Sequence, residues 1–156
     1  LEESLPRLVE LSRSDHLHAS LAAELSLEDF PGQKGDEALV QCLLGWQYDA
    51  WYRAGNALVK RNKPLLNKTL SAGAAPEGYG YRQGLLLAAC DNPDAVPILC
   101  RSVSRNFLFD RKMFEEIARL ATKDHLPLLE SLGEKVRPEQ RPQAEETLRQ
   151  VRARLP

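Results

Sequence analysis

The chain has 156 residues, of which 43% are hydrophobic and 28% charged, and its formal net charge at pH 7 is −1. This length and apolar content predict one domain with a substantial buried core. The near-neutral charge argues against a nucleic-acid partner, and the absence of any run of about 18 apolar residues argues against a membrane span.

The N-terminal third of the chain predicts helices separated by polar breaks. The expected helices cover residues 2–13, 16–27 and 37–53. In the second helix, Leu17, Leu21 and Leu25 recur at four-residue spacing, which predicts a buried stripe. Residues 29–35 hold a proline and two glycines and predict a loop, after which Asp36 is the expected N-cap of the third helix.

Charge changes sign along the first half of the sequence. Residues 1–40 hold nine acids against three bases, whereas residues 53–68 hold five bases and no acid. A further helix is expected over residues 57–70, after a break at Gly55 and Asn56. Its outer face should be basic, which favours either a solvated surface or the steering of a charged partner.

Two stretches in the C-terminal half, residues 87–99 and 117–129, repeat one design. Ala88, Asp94, Pro97 and Leu99 match Ala118, Asp124, Pro127 and Leu129. A fixed offset of this kind is typical of repeat proteins. Asp94 and Asp124 are the expected helix caps, and the prolines that follow them fall in the first helical turn, where proline costs little. Residues 142–155 predict a last helix with one apolar face.

The segment around residues 69–99 carries a further pattern. The positions that form it are Leu70, Gly73, Ala74, Gly84, Leu87, Ala88, Val96, Ile98 and Leu99, and Pro64 precedes Pro97 by 33 residues. In this spacing the segment resembles the junction between two ankyrin repeats. The usual Thr-Pro-Leu-His box is replaced by Gln-Gly-Leu-Leu, and Asp91-Asn92-Pro93 replaces the usual glycine turn. The resemblance covers about residues 54–136 and implies stacked helix pairs.

We therefore predict an all-α fold of stacked helical hairpins, either an ankyrin-like or a HEAT-like solenoid, in a single domain. Its parts are divergent N-terminal helices (1–53), ankyrin-like repeats (54–136) and a capping helix (137–156). The polar outer face expected for the last helix suits the end of a stack. No segment has the period-2 alternation of a strand.

Candidate catalytic and metal-binding residues are few. His16 and His18 are two positions apart, so they diverge on a helix and do not form a metal site. Residues 78–84 have the glycines of a phosphate loop, but they are one residue too long and follow no strand. The chain contains neither Gly-x-Ser-x-Gly nor His-Glu-x-x-His. We predict no enzymatic activity, no metal and no cofactor.

The predicted function is a non-catalytic protein–protein interaction module. Its expected contacts lie on loop tips, at Tyr79, Tyr81, Arg82, Arg105, Asn106 and Phe107, with Lys60 and Arg61 as charged support. Of these, Tyr79, Tyr81 and Arg82 belong to a glycine-bearing finger expected over residues 71–82. We expect a monomer that binds another protein.

A narrower prediction is an inhibitor or immunity protein that binds and neutralises a bacterial toxin or secreted effector. The alternatives are an adaptor or chaperone, a regulatory domain of a larger protein, and an oligomerisation domain with an exposed apolar patch. A small-ligand-binding protein or enzyme would instead need a pocket near Trp46 and Trp51.

Cys42, Cys90 and Cys100 lie among apolar residues, and an odd number cannot pair completely. We expect buried free thiols that pack as small hydrophobic groups, with a Cys90–Cys100 bridge as the alternative. Free thiols weakly favour a reducing compartment such as the cytoplasm over a bacterial periplasm.

Overall fold

A computed structural model describes residues 2–44, 48–72, 80–103 and 110–156. Within these ranges the chain is helical and contains no strand, which confirms the predicted all-α class. None of the described helices combines the length and the apolarity needed to cross a membrane. The chain divides into two compact units, Leu1–Ala74 and Ala75–Pro156.

The first unit is formed by two helical hairpins and one further helix. Its described helices are α1 (Leu5–Ser12), α2 (Leu17–Glu28), α3 (Gly32–Leu44), α4 (Tyr48–Arg61) and α5 (Lys63–Ala72), with a 3-10 turn, Glu2–Ser4, before α1. Helix α1 packs against α2 and α3, α2 against α4, α3 against α4, and α4 against α5. Leu27, Leu39, Leu43, Leu58 and Leu66 are the largest fully buried side chains of this unit.

Several helix boundaries in the first unit differ from the prediction. Helix α3 begins at Gly32, inside the predicted loop, and Gly32 itself has the positive φ of +78° that only glycine adopts easily. The predicted helix over 37–53 is two helices, α3 and α4. Helix α4 also continues through Gly55, which is buried there, because tertiary packing outweighs the low helix propensity of glycine.

The predicted buried stripe of α2 is wrong. Leu25 is 49% exposed and Leu21 is half-buried, whereas Ala23, Glu24 and Leu27 are buried. Helix α2 carries apolar residues on all sides, so the four-residue spacing of its leucines does not select the face that packs.

The second unit contains the two stretches of similar sequence. Its described helices are α6 (Gly80–Ala89), α7 (Ala95–Val103), α8 (Asp110–Leu120), α9 (Leu126–Glu130), α10 (Leu132–Lys135) and α11 (Arg141–Arg154), with 3-10 turns before α9 and α11. Helix α6 packs against α7 and α8, α7 against α8 and α9, and α11 against α8, α9 and α10. Met113, Phe114 and Ile117 of α8 are fully buried, as are Leu86 of α6 and Leu99 of α7.

The two similar stretches form corresponding turns, α6–α7 and α8–α9, but their aspartates do not cap helices. Asn92 Oδ1 accepts the backbone N–H of Asp94 at 2.9 Å and so takes the expected role of the Asp94 side chain. Asp124 lies inside a 3-10 turn whose N-cap is Thr122. This extra turn moves the helix start beyond Asp124 and leaves its carboxylate exposed.

The last helix agrees with the prediction. Helix α11 buries Ala144, Thr147 and Val151 along one face, and its arginine, glutamate and glutamine side chains lie mostly on the exposed side.

Candidate functional site

The structure describes half of the predicted contact residues. Tyr79, Arg105, Asn106 and Phe107 lie outside the described residues, as does Trp46. Trp51 is buried in α4, as expected of a core aromatic side chain.

The expected exposed loop position is wrong for Tyr81 and Arg82. Helix α6 begins at Gly80, so both residues lie in its first turn. The Tyr81 side chain is buried, with 9% of its surface exposed, and its hydroxyl accepts a hydrogen bond from Arg82 Nε at 2.9 Å. The Arg82 guanidinium also lies over the Tyr81 ring, 5.8 Å from its centroid.

Lys60 and Arg61 have opposite surroundings at the end of α4. Lys60 is exposed, whereas Arg61 is half-buried and turned towards the α2–α3 connection. Arg61 donates to the carbonyl oxygens of Glu28 at 3.0 Å and of Gly32 at 3.4 Å. Arg61 therefore connects α4 to the α2–α3 connection, and of these two residues only Lys60 is fully exposed to solvent.

Asp36 joins α3 to the junction between α4 and α5. Its Oδ1 lies 2.8 Å from Arg61 Nη2, and its Oδ2 accepts a hydrogen bond from Asn62 Nδ2 at 3.0 Å. Asn62 Oδ1 in turn accepts the backbone N–H of Leu65 at 3.2 Å and caps the start of α5. Asp36 was predicted as a helix cap, but it is a buried acceptor inside α3 because that helix begins four residues earlier.

The region where α3 meets the α4–α5 junction is tightly packed at Gly35. A Cβ atom at this position would lie 2.3 Å from the Phe30 carbonyl oxygen and 3.0 Å from Arg61 Nη2. Only glycine lets the first turn of α3 approach the Phe30 backbone so closely. The α4–α5 junction is thus fixed to α3 by close packing as well as by the Asp36 contacts.

Three exposed lysines lie in the sequence at or just after the α4–α5 junction. They are Lys60, Lys63 and Lys68. Residues 50–76 contain no aspartate or glutamate. Among the predicted contact residues that the structure describes, Lys60 is exposed, whereas Arg61 and Arg82 are half-buried and Tyr81 is buried.

A second pattern, which the sequence analysis missed, joins neighbouring helices at their C-terminal ends. Four arginines of the described residues each donate to a carbonyl in, or one residue beyond, the last turn of an adjacent helix: Arg13 to Gln41 (2.7 Å), Arg61 to Glu28 (3.0 Å), Arg119 to Ala88 (2.6 Å) and Arg154 to Ala121 (2.5 Å). Donor and acceptor both lie at or next to a helix C-terminus, so the helices of each pair run in the same direction. We call these residues the four cross-helix arginines.

The parallel pairs are α1 with α3, α2 with α4, α6 with α8, and α8 with α11. The acceptor carbonyls lie at helix C-termini, where the last carbonyl groups lack the usual partner four residues on, although that of Ala88 also accepts the backbone N–H of Asp91 at 2.9 Å. Arg119 also lies 2.5 Å, through its Nη1, from Asp91 Oδ1, and its Nε donates to Glu116 Oε2 at 2.8 Å. Asp91 has a φ of +58° and occupies the turn where the ankyrin resemblance calls for glycine. Only the arginines themselves were visible in the sequence, because their partners are backbone atoms of distant residues.

The buried thiols do not provide a nucleophile. Burial raises the pKa of Cys100 to about 12, and it raises the pKa of Cys42 despite a 3.0 Å contact with Ser12 Oγ. A thiol whose pKa is raised in this way stays protonated near neutral pH. None of the three cysteines is in a disulfide; Cys42 and Cys100 are buried as predicted, whereas Cys90 is half-buried.

The described ranges contain no group of three or more His, Cys, Asp or Glu side chains placed to hold a metal ion. Comparisons with family models, with curated proteins and with solved structures find no match to this chain. The resemblance to ankyrin repeats accordingly stays a prediction.

Proposed function

We propose that the chain is a non-catalytic module that binds another protein, and that each unit is built from stacked helical hairpins of an ankyrin-like or HEAT-like kind. The observation that carries the proposal is the recurrence of the four cross-helix arginines. They recur at the contact between one hairpin and the next, and α11 continues the series in the second unit.

Parallel neighbours distinguish stacked hairpins from a simple bundle. In an up-and-down bundle with short loops, helices that follow one another in space alternate in direction. In a stack of hairpins, each first helix instead lies beside the first helix of the next hairpin and runs the same way. The pairs α1 with α3 and α6 with α8 fit the second scheme, as does the pair α2 with α4.

Stacked hairpins have a use in recognition because they present rows of turns and helix faces on a rigid support. The predicted contacts Tyr79, Arg105, Asn106 and Phe107 lie outside the described residues, the first before α6 in the sequence and the other three between α7 and α8. Lys60 adds a charged contact that is exposed to solvent. The narrower prediction, neutralisation of a bacterial toxin or secreted effector, stays within this class of function.

The experiment starts with affinity capture from the source cell, followed by purification of any captured protein and titration against the chain. We expect one protein that binds the purified chain at 1:1 stoichiometry. The variant Tyr79→Ala with Phe107→Ala should weaken this binding about tenfold or more, since interface aromatic residues often dominate affinity. Lys123→Ala, an exposed turn residue outside the predicted contacts, is the control and should change affinity less than twofold.

Two results would count against the proposal. The first is that no captured protein binds the chain again after purification. The second is that the chain retains or converts a small molecule when it is incubated with a metabolite extract. For the toxin-inhibitor form, co-expression of the chain should restore the growth of cells that the captured protein otherwise arrests.

A further inference from the structure

The Gln140 side chain joins three helices of the second unit. It lies in the 3-10 turn Pro138–Gln140 immediately before α11, and only 5% of its surface is exposed. Its Nε2 donates to the carbonyl oxygen of Val103, the last residue of α7, at 3.0 Å. The same nitrogen donates to Oδ2 of Asp110, the first residue of α8, at 2.5 Å. One buried amide group therefore links the end of α7 to the start of α8 and the start of α11.

An amide is the side-chain group that fits these surroundings. Its nitrogen carries one hydrogen for each acceptor, and its oxygen accepts the backbone N–H of Arg137 at 2.9 Å. The Asp110 carboxylate depends on this donor, because its other oxygen, Oδ1, is buried and accepts no hydrogen bond from any described residue. An apolar side chain at position 140 would leave the acceptors at Val103 and Asp110 without their shared donor.

The two acceptors are also the two ends of one connection. Residues 104–109 join α7 to α8 and lie outside the described ranges, whereas Val103 and Asp110 are both described. Because one nitrogen binds both, the Val103 oxygen and Asp110 Oδ2 are no more than about 5.5 Å apart, the combined length of the two contacts. A connection of six residues could separate its ends by about 24 Å. Gln140 thus holds these ends at a separation that the length of the connection does not impose.

This connection carries three of the predicted contacts, Arg105, Asn106 and Phe107. Fixing both ends of a segment reduces the number of conformations open to it before binding, and so lowers the entropy lost when a complex forms. The ends are themselves firmly supported, since Val103 is fully buried and α8 buries Met113 and Phe114. A partner protein that binds the connection would therefore gain affinity from the amide of Gln140.

We propose that Gln140 is a positioning residue for the proposed protein-binding function. Its amide fixes the ends of the α7–α8 connection and thereby holds Arg105, Asn106 and Phe107 in the arrangement that the partner binds. The inference rests on the proposed function and specifies how the fold supports part of its site. Gln140 acts through the connection, because its own side chain is buried.

The first test needs no partner, because trypsin cleaves after arginine and Arg105 lies inside the connection. Cleavage after Arg119, at the opposite end of α8, is the internal reference for opening of the whole unit. In Gln140→Met, which keeps an unbranched side chain but removes the amide, the ratio of Arg105 cleavage to Arg119 cleavage should rise about tenfold, since cleavage follows local opening. Mass spectrometry of the earliest fragments measures both rates.

Gln150→Met is the matched control, since it makes the same substitution at an exposed position of α11. It should change the cleavage ratio less than about twofold. A rescue variant exchanges the donor and the acceptor. Gln140→Glu alone should raise the ratio, because two carboxylates then face each other, and the addition of Asp110→Asn should lower it again by restoring a donor to the pair.

The second test uses the protein captured by the chain. Gln140→Met should weaken its binding about fivefold. In a chain that also carries Arg105→Ala, Asn106→Ala and Phe107→Ala, the same substitution should weaken binding less than about 1.5-fold, because the side chains that it positions are absent. A purely structural role for Gln140 would give the same loss in both backgrounds.

The proposal is overturned if Gln140→Met and Gln150→Met give the same cleavage ratio, or if Gln140→Met weakens binding equally in the two backgrounds. Equal losses would leave the protein-binding function in place and remove only Gln140 from it. Failure to capture any protein would instead count against the proposed function and against this role with it. The cleavage ratio would then still show whether Gln140 fixes the connection.

Discussion

The Asp36 side chain is the clearest example of a single residue that connects several helices. Arg61 and Asn62 both depend on its carboxylate, and both are half-buried. In the variant Asp36→Ala, Asn62 loses its hydrogen-bond acceptor and Arg61 loses its ion-pair partner, but both side chains stay partly enclosed. We therefore expect the free energy of unfolding to fall by about 2–4 kcal/mol, measured by urea denaturation followed by circular dichroism.

Asp94→Ala is the control for this prediction. The sequence favours both aspartates as helix caps, but the Asp94 carboxylate is exposed and accepts no hydrogen bond from any described residue. Its replacement should change stability by less than about 0.5 kcal/mol. Equal losses for the two variants would contradict the role assigned to Asp36.

The thiols give a prediction about reactivity and pH. A pKa of about 12 for Cys100, compared with 9.0 for an ordinary thiol, lowers its thiolate fraction about a thousandfold near neutral pH. In the folded protein at pH 8, iodoacetamide should label the half-buried Cys90 and leave Cys42 and Cys100 unmodified, as read by mass spectrometry of peptides. Rapid labelling of Cys100 without unfolding would contradict its burial.

The same thiols should make stability depend on pH. Their pKa values are raised in the folded state, so the folded protein keeps them protonated while the unfolded chain ionises first. Their contribution is fully present below the unfolded pKa of about 8.5 and is lost as the pH rises from there towards 12. Denaturation midpoints measured from pH 7 to pH 10 should fall above pH 9, and less so in a Cys42→Ala, Cys100→Ala variant.

At the scale of helices, close packing between α6 and α7 depends on Gly84. A Cβ atom there would lie 2.7 Å from Leu99 Cδ2 and 2.9 Å from Leu99 Cγ, and Leu99 is fully buried. Gly84→Ala should therefore destabilise the chain by about 1–3 kcal/mol through overpacking. Gly133→Ala is the control, because nothing lies within 4 Å of its added methyl group. In α10 it should stabilise by about 0.5–1 kcal/mol, as alanine favours helix.

Helices were also the scale at which the sequence was most informative. The repeat of Ala88 and Leu99 at Ala118 and Leu129 marked two corresponding turns, and the apolar face of α11 was recognisable from its spacing alone. Boundaries were harder to predict because Gly32 begins a helix and Gly55 continues one. The packing of neighbours decides both outcomes, and a single sequence does not display it. The buried face of α2 was predicted wrongly because apolar residues lie on all sides of this helix.

At the scale of each whole unit, the cross-helix arginines connect one hairpin to the next through hydrogen bonds. Arg119→Ala removes the donor to Ala88 and the partner of Asp91. Allowing for the 45% exposure of its side chain, we expect a loss of about 1 kcal/mol in the free energy of unfolding. Arg111→Ala, on the same helix but 88% exposed, should cost less than about 0.5 kcal/mol. Urea denaturation of both variants measures the difference, and equal effects would contradict a connecting role for Arg119.

The candidate site was predictable only in part. Lys60 stood out because its segment lacks acids, and its exposure agrees with a contact role. Arg61, its neighbour, was grouped with it by charge, although its side chain turns inward to Glu28 and Asp36. Residue type gives the charge of a side chain, but the fold decides whether that charge faces solvent or the backbone of another helix.

Neighbouring helices that run in the same direction repel each other electrostatically, whereas antiparallel neighbours do not. Each helix has a macrodipole whose negative end lies at its C-terminus, and helices that run the same way bring those like ends together. The four cross-helix arginines place a positive guanidinium between the adjoining negative ends and act as built-in counterions. Arginine suits this position because its charge persists at every physiological pH. Helices that run the same way can therefore lie side by side within each unit without repulsion between their adjoining C-terminal ends.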